Sequence, residues 1–85
     1  MAIVDRVLRR ALAAAEDPAK RVLVVKAGPL GPGDTRHEIV LDIAGVRYRW
    51  EGSYNMVDEF RRRARYGPWK ALRWLEGIWG KGAKL

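Results

Sequence analysis

Residues 39–50 read IVLDIAGVRYRW, and this stretch decides the fold. Apolar side chains recur at every second position before and after Ala44-Gly45, a period typical of strands with one buried face. With Ala44-Gly45 as a two-residue loop, the pairs sharing the apolar face are Ile43 with Val46, Leu41 with Tyr48, and Ile39 with Trp50. The stretch therefore predicts an antiparallel hairpin whose apolar face is covered by another layer.

The segments before the hairpin predict a helix, a strand and a loop. Apolar residues gather on one side of a helical wheel over residues 2–16, and Asp17-Pro18 ends that helix. Residues 21–26 read RVLVVK, a β-branched run that predicts a strand. Residues 28–34 hold three glycines and two prolines, which predicts a surface loop.

Two helices are predicted after the hairpin. Gly52-Ser53 breaks the strand, Asn55 is a candidate N-cap, and a helix follows to about Tyr66. Gly67-Pro68 then starts a third helix that runs to about Trp79, and residues 80–85 are expected to be a flexible basic tail. We therefore expect one α+β domain over residues 1–85, of order α-β-β-β-α-α, with a three-stranded antiparallel meander covered on one face by helices.

Composition narrows the class of protein. The 85 residues include no cysteine, which excludes disulfides and thiolate chemistry and favours a cytoplasmic location. Charged residues interrupt residues 1–18, unlike a secretory signal, and no apolar run is long enough to span a membrane. The scarcity of Gln, Asn, Ser and Thr, together with abundant Arg and Val, is typical of a heat-adapted source.

Positive charge is concentrated in the last 25 residues. Residues 1–60 contain nine basic and nine acidic residues, whereas residues 61–85 contain eight basic residues and only Glu76, so the whole net charge of +7 lies there. Three of the four tryptophans share that segment. A field of one sign mixed with aromatic rings predicts a polyanionic partner, either nucleic acid or an anionic lipid surface.

The candidate nucleic-acid-binding residues are the basic and aromatic side chains predicted to point away from the core. They are Arg61, Arg62, Arg65, Tyr66, Trp69, Lys70, Arg73, Lys81 and Lys84, with Arg47 and Arg49 as a secondary pair on the other sheet face. The alternative is a solvated helix face on which Arg62 pairs back to Asp58 or Glu59.

The position of each aromatic residue within the strand or helix repeat predicts whether its ring faces the core. Tyr48 and Trp50 alternate with the aliphatic face, which favours core packing over base stacking, and Trp74 and Trp79 are expected to anchor the third helix. Trp69 falls on that helix's polar side. It is a candidate for stacking on a base or a partner, and the alternative is that it packs on the Gly67-Pro68 turn.

No constellation in the sequence predicts catalysis. His37 is the only histidine, Asp58 and Glu59 are adjacent and diverge on a helix, and the loop over residues 28–33 lacks a phosphate-binding Gly-Lys-Ser/Thr ending. We therefore expect a non-enzymatic protein with no catalytic residue, metal, cofactor or small-molecule substrate.

Residues 39–73 resemble the KTSC domain, a small module found at the C-terminus of some lysyl-tRNA synthetases and as free-standing proteins. The residues that carry the resemblance are Tyr48-Arg49-Trp50, Gly52-Ser53, Val57-Asp58-Glu59-Phe60, Ala64, Gly67 and Trp69. The resemblance implies RNA binding. The element order is also similar to that of a double-stranded-RNA-binding domain, but residues 55–59 are acidic where those domains are basic, so this similarity is topological only.

Three functions follow from these observations. The first is binding of nucleic acid, RNA slightly preferred over DNA, through phosphate-backbone contacts. The second is a protein-interaction module, such as a homo-oligomer, that buries Trp74, Ile78 and Trp79. The third is attachment of residues 68–85 to a membrane surface, which is less favoured than nucleic acid.

Overall fold

The computed structural model describes residues 21–85, so the helix predicted over residues 2–16 lies outside the described part of the chain. The elements are strands β1 (Val22–Pro29), β2 (His37–Ile43) and β3 (Val46–Gly52), helices α1 (Tyr54–Ala64) and α2 (Pro68–Trp79), and strand β4 (Ala83–Lys84). The strands form one antiparallel sheet of order β1-β2-β3-β4. The predicted α+β class is confirmed. The described order is β-β-β-α-α-β, which corrects the expected α-β-β-β-α-α and the three-stranded sheet.

The hairpin register predicted from residues 39–50 is confirmed. Ile43 is opposite Val46, and the pairing continues in step to His37 opposite Gly52. Ala44 and Gly45 both have positive φ, 52° and 88°, as a type I′ turn requires. The Gly45 N–H donates to Asp42 Oδ1 at 2.8 Å, which closes the turn.

Strand β1 is longer than predicted and contains a bulge. It continues through Gly28-Pro29, residues expected in the surface loop, because it pairs with β2 as far as His37. The register shifts between Val24 and Lys26, so an extra residue enters the strand there. The shift returns Ala27 to the face of Ile39, and this keeps β1 against the core at both of its ends.

One apolar cluster joins the sheet to both helices. Its strand residues share one face of the sheet in the observed register, as expected for a sheet covered on one side. The buried residues are Val22, Ile39, Leu41, Trp50, Met56, Val57, Phe60, Ala71, Leu72 and Leu75. Trp50 is buried and Tyr48 packs against the cluster, so the core interpretation of both rings is confirmed.

Both ends of α1 lie two residues before their predicted positions. Ser53, rather than Asn55, is the N-cap residue, with extended backbone at φ −87° and ψ 170°. Helix α1 ends at Ala64, two residues before the predicted end. Gly67 has φ 131° and Pro68 lies in the first turn of α2, as the Gly-Pro pair predicts.

The chain returns to the sheet after α2 instead of leaving the fold. Lys84 is opposite Tyr48 and Ala83 is opposite Arg49, so β4 adds a fourth strand beside β3. The Leu85 N–H donates to the Arg47 carbonyl at 2.9 Å, and Trp50 Nε1 donates to the Gly80 carbonyl at 2.8 Å. Residues 80–85, predicted as a flexible basic tail, thus make strand and hydrogen-bond contacts with β3 that the sequence did not predict.

Candidate nucleic-acid interface

Six of the candidate residues lie in the last turn of α1, the connection that follows it, and the first two turns of α2. This group, called the helix corner below, comprises Arg61, Arg65, Tyr66, Trp69, Lys70 and Arg73. Met56, Val57 and Phe60 are buried on one side of α1, which leaves Arg61 and Arg65 exposed one turn apart. On α2, burial of Ala71, Leu72 and Leu75 leaves Lys70 and Arg73 exposed in the same way.

Arg61 of α1 and Arg65, the C-cap residue of that helix, have no ion-pair partner within residues 21–85. Both line an open groove of about 430 Å³ between α1 and β1, whose apolar lining includes Val24, Ala27 and Phe60. Their guanidinium groups therefore remain available to an anion at the edge of an apolar groove.

Arg62 and Arg63 are engaged with acidic residues of the same helix. Arg62 forms an ion pair with Asp58, and that hydrogen bond raises the pKa of Arg62. Arg63 Nε lies 3.1 Å from Glu59 Oε1, and its guanidinium carbon lies 5.0 Å from the centroid of the Trp74 ring. The ion pair between Arg62 and Asp58 is the one that the alternative of a solvated helix face predicts, and the exposure of Arg61 and Arg65 fits both that alternative and phosphate binding.

The two aromatic residues of the helix corner are placed differently. Trp69 is half-buried and packs on the turn, because a Cβ added at Gly67 would lie 3.7 Å from its ring. The Arg73 guanidinium carbon lies 5.9 Å from the centroid of the same ring. Tyr66 is 80% exposed. Tyr66 is therefore the ring with the freer face for stacking.

Lys81 and Lys84 lie apart from the helix corner. They belong to the segment around β4, at one edge of the sheet, whereas Arg61 and Arg65 line a groove along β1 at the other edge. Three strand spacings separate these edges, about 14 Å. The candidate residues consequently form two basic groups rather than one continuous surface.

The secondary pair lies on the sheet face that points away from α1 and α2. Arg49 bonds to Glu38 and to Glu51, and Lys26 Nζ lies 2.9 Å from Glu38 Oε1. Hydrogen bonds from Lys26 and then from Arg49 lower the pKa of Glu38, and the bond to Glu38 raises the pKa of Arg49. Arg47 is exposed. This face is largely neutralised, and Arg47 is its remaining unpaired cation among residues 21–85.

His37 is occupied by structural contacts. Its Nδ1 lies 3.0 Å from the Thr35 carbonyl oxygen, and its ring meets that of Tyr54 edge-on with centroids 5.6 Å apart. Across residues 21–85, no group of three acidic, histidine or cysteine side chains is placed to hold a metal ion. No helix in the same range is long and apolar enough to cross a membrane.

Two features were not predicted from the sequence. Trp79, expected to anchor α2, is 45% exposed beside Ile78 at 66%, although Trp79 also touches the Gly52 end of the sheet. A cavity of about 280 Å³ lies between α2 and the β4 segment. The cavity has no local signal in the sequence, because its lining residues come from β2, β3, α2 and the segment before β4.

Comparison of the chain with protein-family models, with curated proteins and with solved structures found no match. The resemblance of residues 39–73 to the KTSC domain therefore stays a prediction drawn from the sequence.

Proposed function

We propose that the protein is a small non-enzymatic module that binds nucleic acid, RNA in preference to DNA, through contacts to the phosphate backbone. The observation that carries the proposal is the separation of charges on α1. Asp58 and Glu59 are occupied by Arg62 and Arg63, while Arg61 and Arg65 have no acidic partner among the described residues. Unpaired arginines on successive turns suit phosphates, because the planar guanidinium donates two parallel hydrogen bonds.

The other residues of the helix corner offer further contacts to nucleic acid. Lys70 and Arg73 extend the positive surface onto α2, and exposed Tyr66 between the helices offers a stacking face. Such contacts hold the backbone without reading sequence. The preference for RNA comes from the KTSC resemblance alone.

A matched pair of double variants tests the proposal. Arg61→Ala/Arg65→Ala removes two arginines that have no acidic partner in the described part of the chain, whereas the control Arg36→Ala/Arg62→Ala removes two arginines that pair with Asp34 and Asp58. Both variants change the net charge equally, and the two control side chains are 68% and 65% exposed. Binding to labelled single-stranded and duplex RNA and DNA is measured by fluorescence anisotropy at low salt.

We expect the Arg61/Arg65 variant to lose affinity by roughly tenfold or more, about 1.4 kcal/mol, and the control to lose much less. Equal losses in both variants would show that only net charge matters. Absence of binding to every nucleic acid by the unaltered protein would refute the proposal.

A second candidate function is association with a protein, including a second copy of the chain. The observation in its favour is the exposure of Ile78, Trp79 and Tyr54, large side chains near the Gly52 end of the sheet. Light scattering over a range of concentrations tests self-association, and Ile78→Ser should return an oligomer to monomer. A monomer at all concentrations contradicts the homo-oligomer.

Membrane attachment has less support. Ala71, Leu72 and Leu75 of α2 are already buried in the core, so most of the apolar face of that helix is occupied, and Ile78 and Trp79 remain exposed at its end. We expect the protein to stay in the supernatant when anionic vesicles are sedimented. Co-sedimentation that high salt does not reverse would favour the membrane function instead.

A further inference from the structure

A cavity on the helix side of the sheet lies below strand β4. It has a volume of about 280 Å³ and is lined by Ile43, Tyr48, Trp50, Leu72, Glu76, Lys81 and Gly82. Its floor is apolar and aromatic, since Trp50 and Leu72 belong to the core and Tyr48 and Ile43 pack against it. Aromatic and aliphatic floors of this kind suit a flat, weakly polar ring.

The wall on the β4 side is fixed by contacts to Trp50. The Trp50 indole donates from Nε1 to the Gly80 carbonyl at 2.8 Å. Gly82 lies against the face of the same ring, so closely that an added Cβ would stand 2.8 Å from Cε2. The cavity is therefore formed by the fold itself and does not need a ligand to shape it.

The rim carries hydrogen-bonding groups of opposite character. Glu76 can only accept hydrogen bonds when ionised, whereas Lys81 can only donate. Both line the cavity, yet they form no ion pair with each other or with any other residue in 21–85. The Tyr48 hydroxyl is likewise without a hydrogen-bond partner in that range. A ligand that offers both a donor and an acceptor on one edge would satisfy these groups.

Positive charge lies next to the cavity. Lys84 is opposite Tyr48 in the sheet, so its side chain is on the helix face, the same face as the cavity. With Lys81, it supplies two exposed cations without an acidic partner among the described residues. A flat ring with donors and acceptors, attached to a negatively charged chain, is the chemistry of a nucleotide in a single strand.

The geometry points to this cavity as the site for one unstacked base of single-stranded RNA or DNA, with the flanking phosphates on Lys81 and Lys84. The base bears an exocyclic amino group that donates to Glu76, and Lys81 donates to its ring nitrogen or carbonyl oxygen. This inference builds on the proposed nucleic-acid function. It adds single-strand preference and a base preference that the helix corner cannot supply.

The test compares C8 and U8 RNA octamers, which have equal charge and similar size but differ in the amino group. Binding is measured for the full chain, for Glu76→Ala, and for the control Glu51→Ala, which also removes one carboxylate but lies outside the cavity. Because each octamer is compared with the other on the same variant, the change in protein charge cancels from the ratio. Circular dichroism confirms that both variants are folded.

We expect C8 to bind roughly tenfold more tightly than U8, the effect of one hydrogen bond to a charged group. The ratio should fall to about one in Glu76→Ala and stay unchanged in Glu51→Ala. Equal binding of C8 and U8 by the unaltered protein, or an unchanged ratio in Glu76→Ala, overturns the base site but leaves the proposed function standing. Failure to bind any octamer or duplex at low salt overturns both.

Discussion

Replacing Gly82 with alanine tests the packing of β4 against Trp50. The new Cβ would stand 2.8, 2.9 and 2.9 Å from three atoms of the indole ring, whereas non-bonded carbons prefer about 3.5–4.0 Å. Trp50 cannot retreat easily, because it is 5% exposed within the core. The segment around Gly82 must therefore move outward by about 0.7 Å or more.

The expected cost follows from those contacts. Overpacking of this kind destabilises by about 1–3 kcal/mol, and loss of the bond from Trp50 Nε1 to the Gly80 carbonyl accounts for about 1 kcal/mol of it. For a domain of this size each kcal/mol lowers the melting temperature by about 4–8 °C. Urea unfolding followed by circular dichroism and by tryptophan fluorescence measures the change.

Gly77 provides the matched control, because a Cβ added there meets nothing within 4 Å. Gly77→Ala lies within α2 and should stabilise the protein by up to about 1 kcal/mol through helix propensity. A Gly82→Ala variant as stable as the unaltered protein, with unchanged fluorescence, would show that the β4 segment does not pack on Trp50.

Two further predictions concern the Ala44-Gly45 turn and the loss of stability at low pH. Ala44 has φ 52°, so Ala44→Asn should raise the free energy of unfolding by about 0.5–1 kcal/mol, since Asn-Gly is the preferred type I′ pair. The urea midpoint should rise accordingly, and a lower midpoint would contradict the turn type. The pKa of Glu38 is lowered by Lys26 and Arg49, so its contribution is present above its ordinary pKa of 4.5 and is lost as pH falls through the lowered value. Glu38→Gln should therefore destabilise at pH 7, on the order of 1 kcal/mol, and have little effect at pH 2; equal losses at both pH values would contradict the ion-pair origin.

The parts of the fold that could be predicted are those set by neighbouring residues. Alternation about Ala44-Gly45 fixes the register of β2 and β3, because a slip of one residue would turn the apolar face to solvent. The Gly67-Pro68 pair similarly fixes the start of α2. In both cases the deciding residues lie within a few positions of the element that they specify.

The parts that could not be predicted depend on contacts between distant residues. Strand β4 is two residues long, and its position depends on contacts with residues 30 or more positions earlier: the Trp50 indole donates to the Gly80 carbonyl, and Tyr48 pairs with Lys84. Nothing in residues 80–85 resembles a strand, since glycine and lysine both disfavour one. The bulge in β1 could not be predicted either, because the extra residue is defined only by the pairing of β1 with β2.

In the candidate site, too, the sequence predicts what neighbouring residues determine and misses what contacts between distant residues determine. Spacing alone allowed Arg62 to reach Asp58, so the sequence could state the ion pair as an alternative but could not choose it. The sequence also placed Lys81 and Lys84 with the arginines of α1, because all of them fall in one segment. Sheet order separates them, and it creates the cavity whose residues come from β2, β3, α2 and the segment before β4.

The most direct test of phosphate binding is the salt dependence of RNA affinity. For single strands, log K falls with log salt by about 0.7 for each phosphate that the protein neutralises, so the four cations at the helix corner contribute about −3 to the slope. Lys81 and Lys84 beside the cavity bring the predicted slope to about −4. In Arg61→Ala/Arg65→Ala the slope should flatten by about 1.4. The Arg36→Ala/Arg62→Ala control should keep the slope of the unaltered protein, and a slope near zero in the unaltered protein would contradict the account.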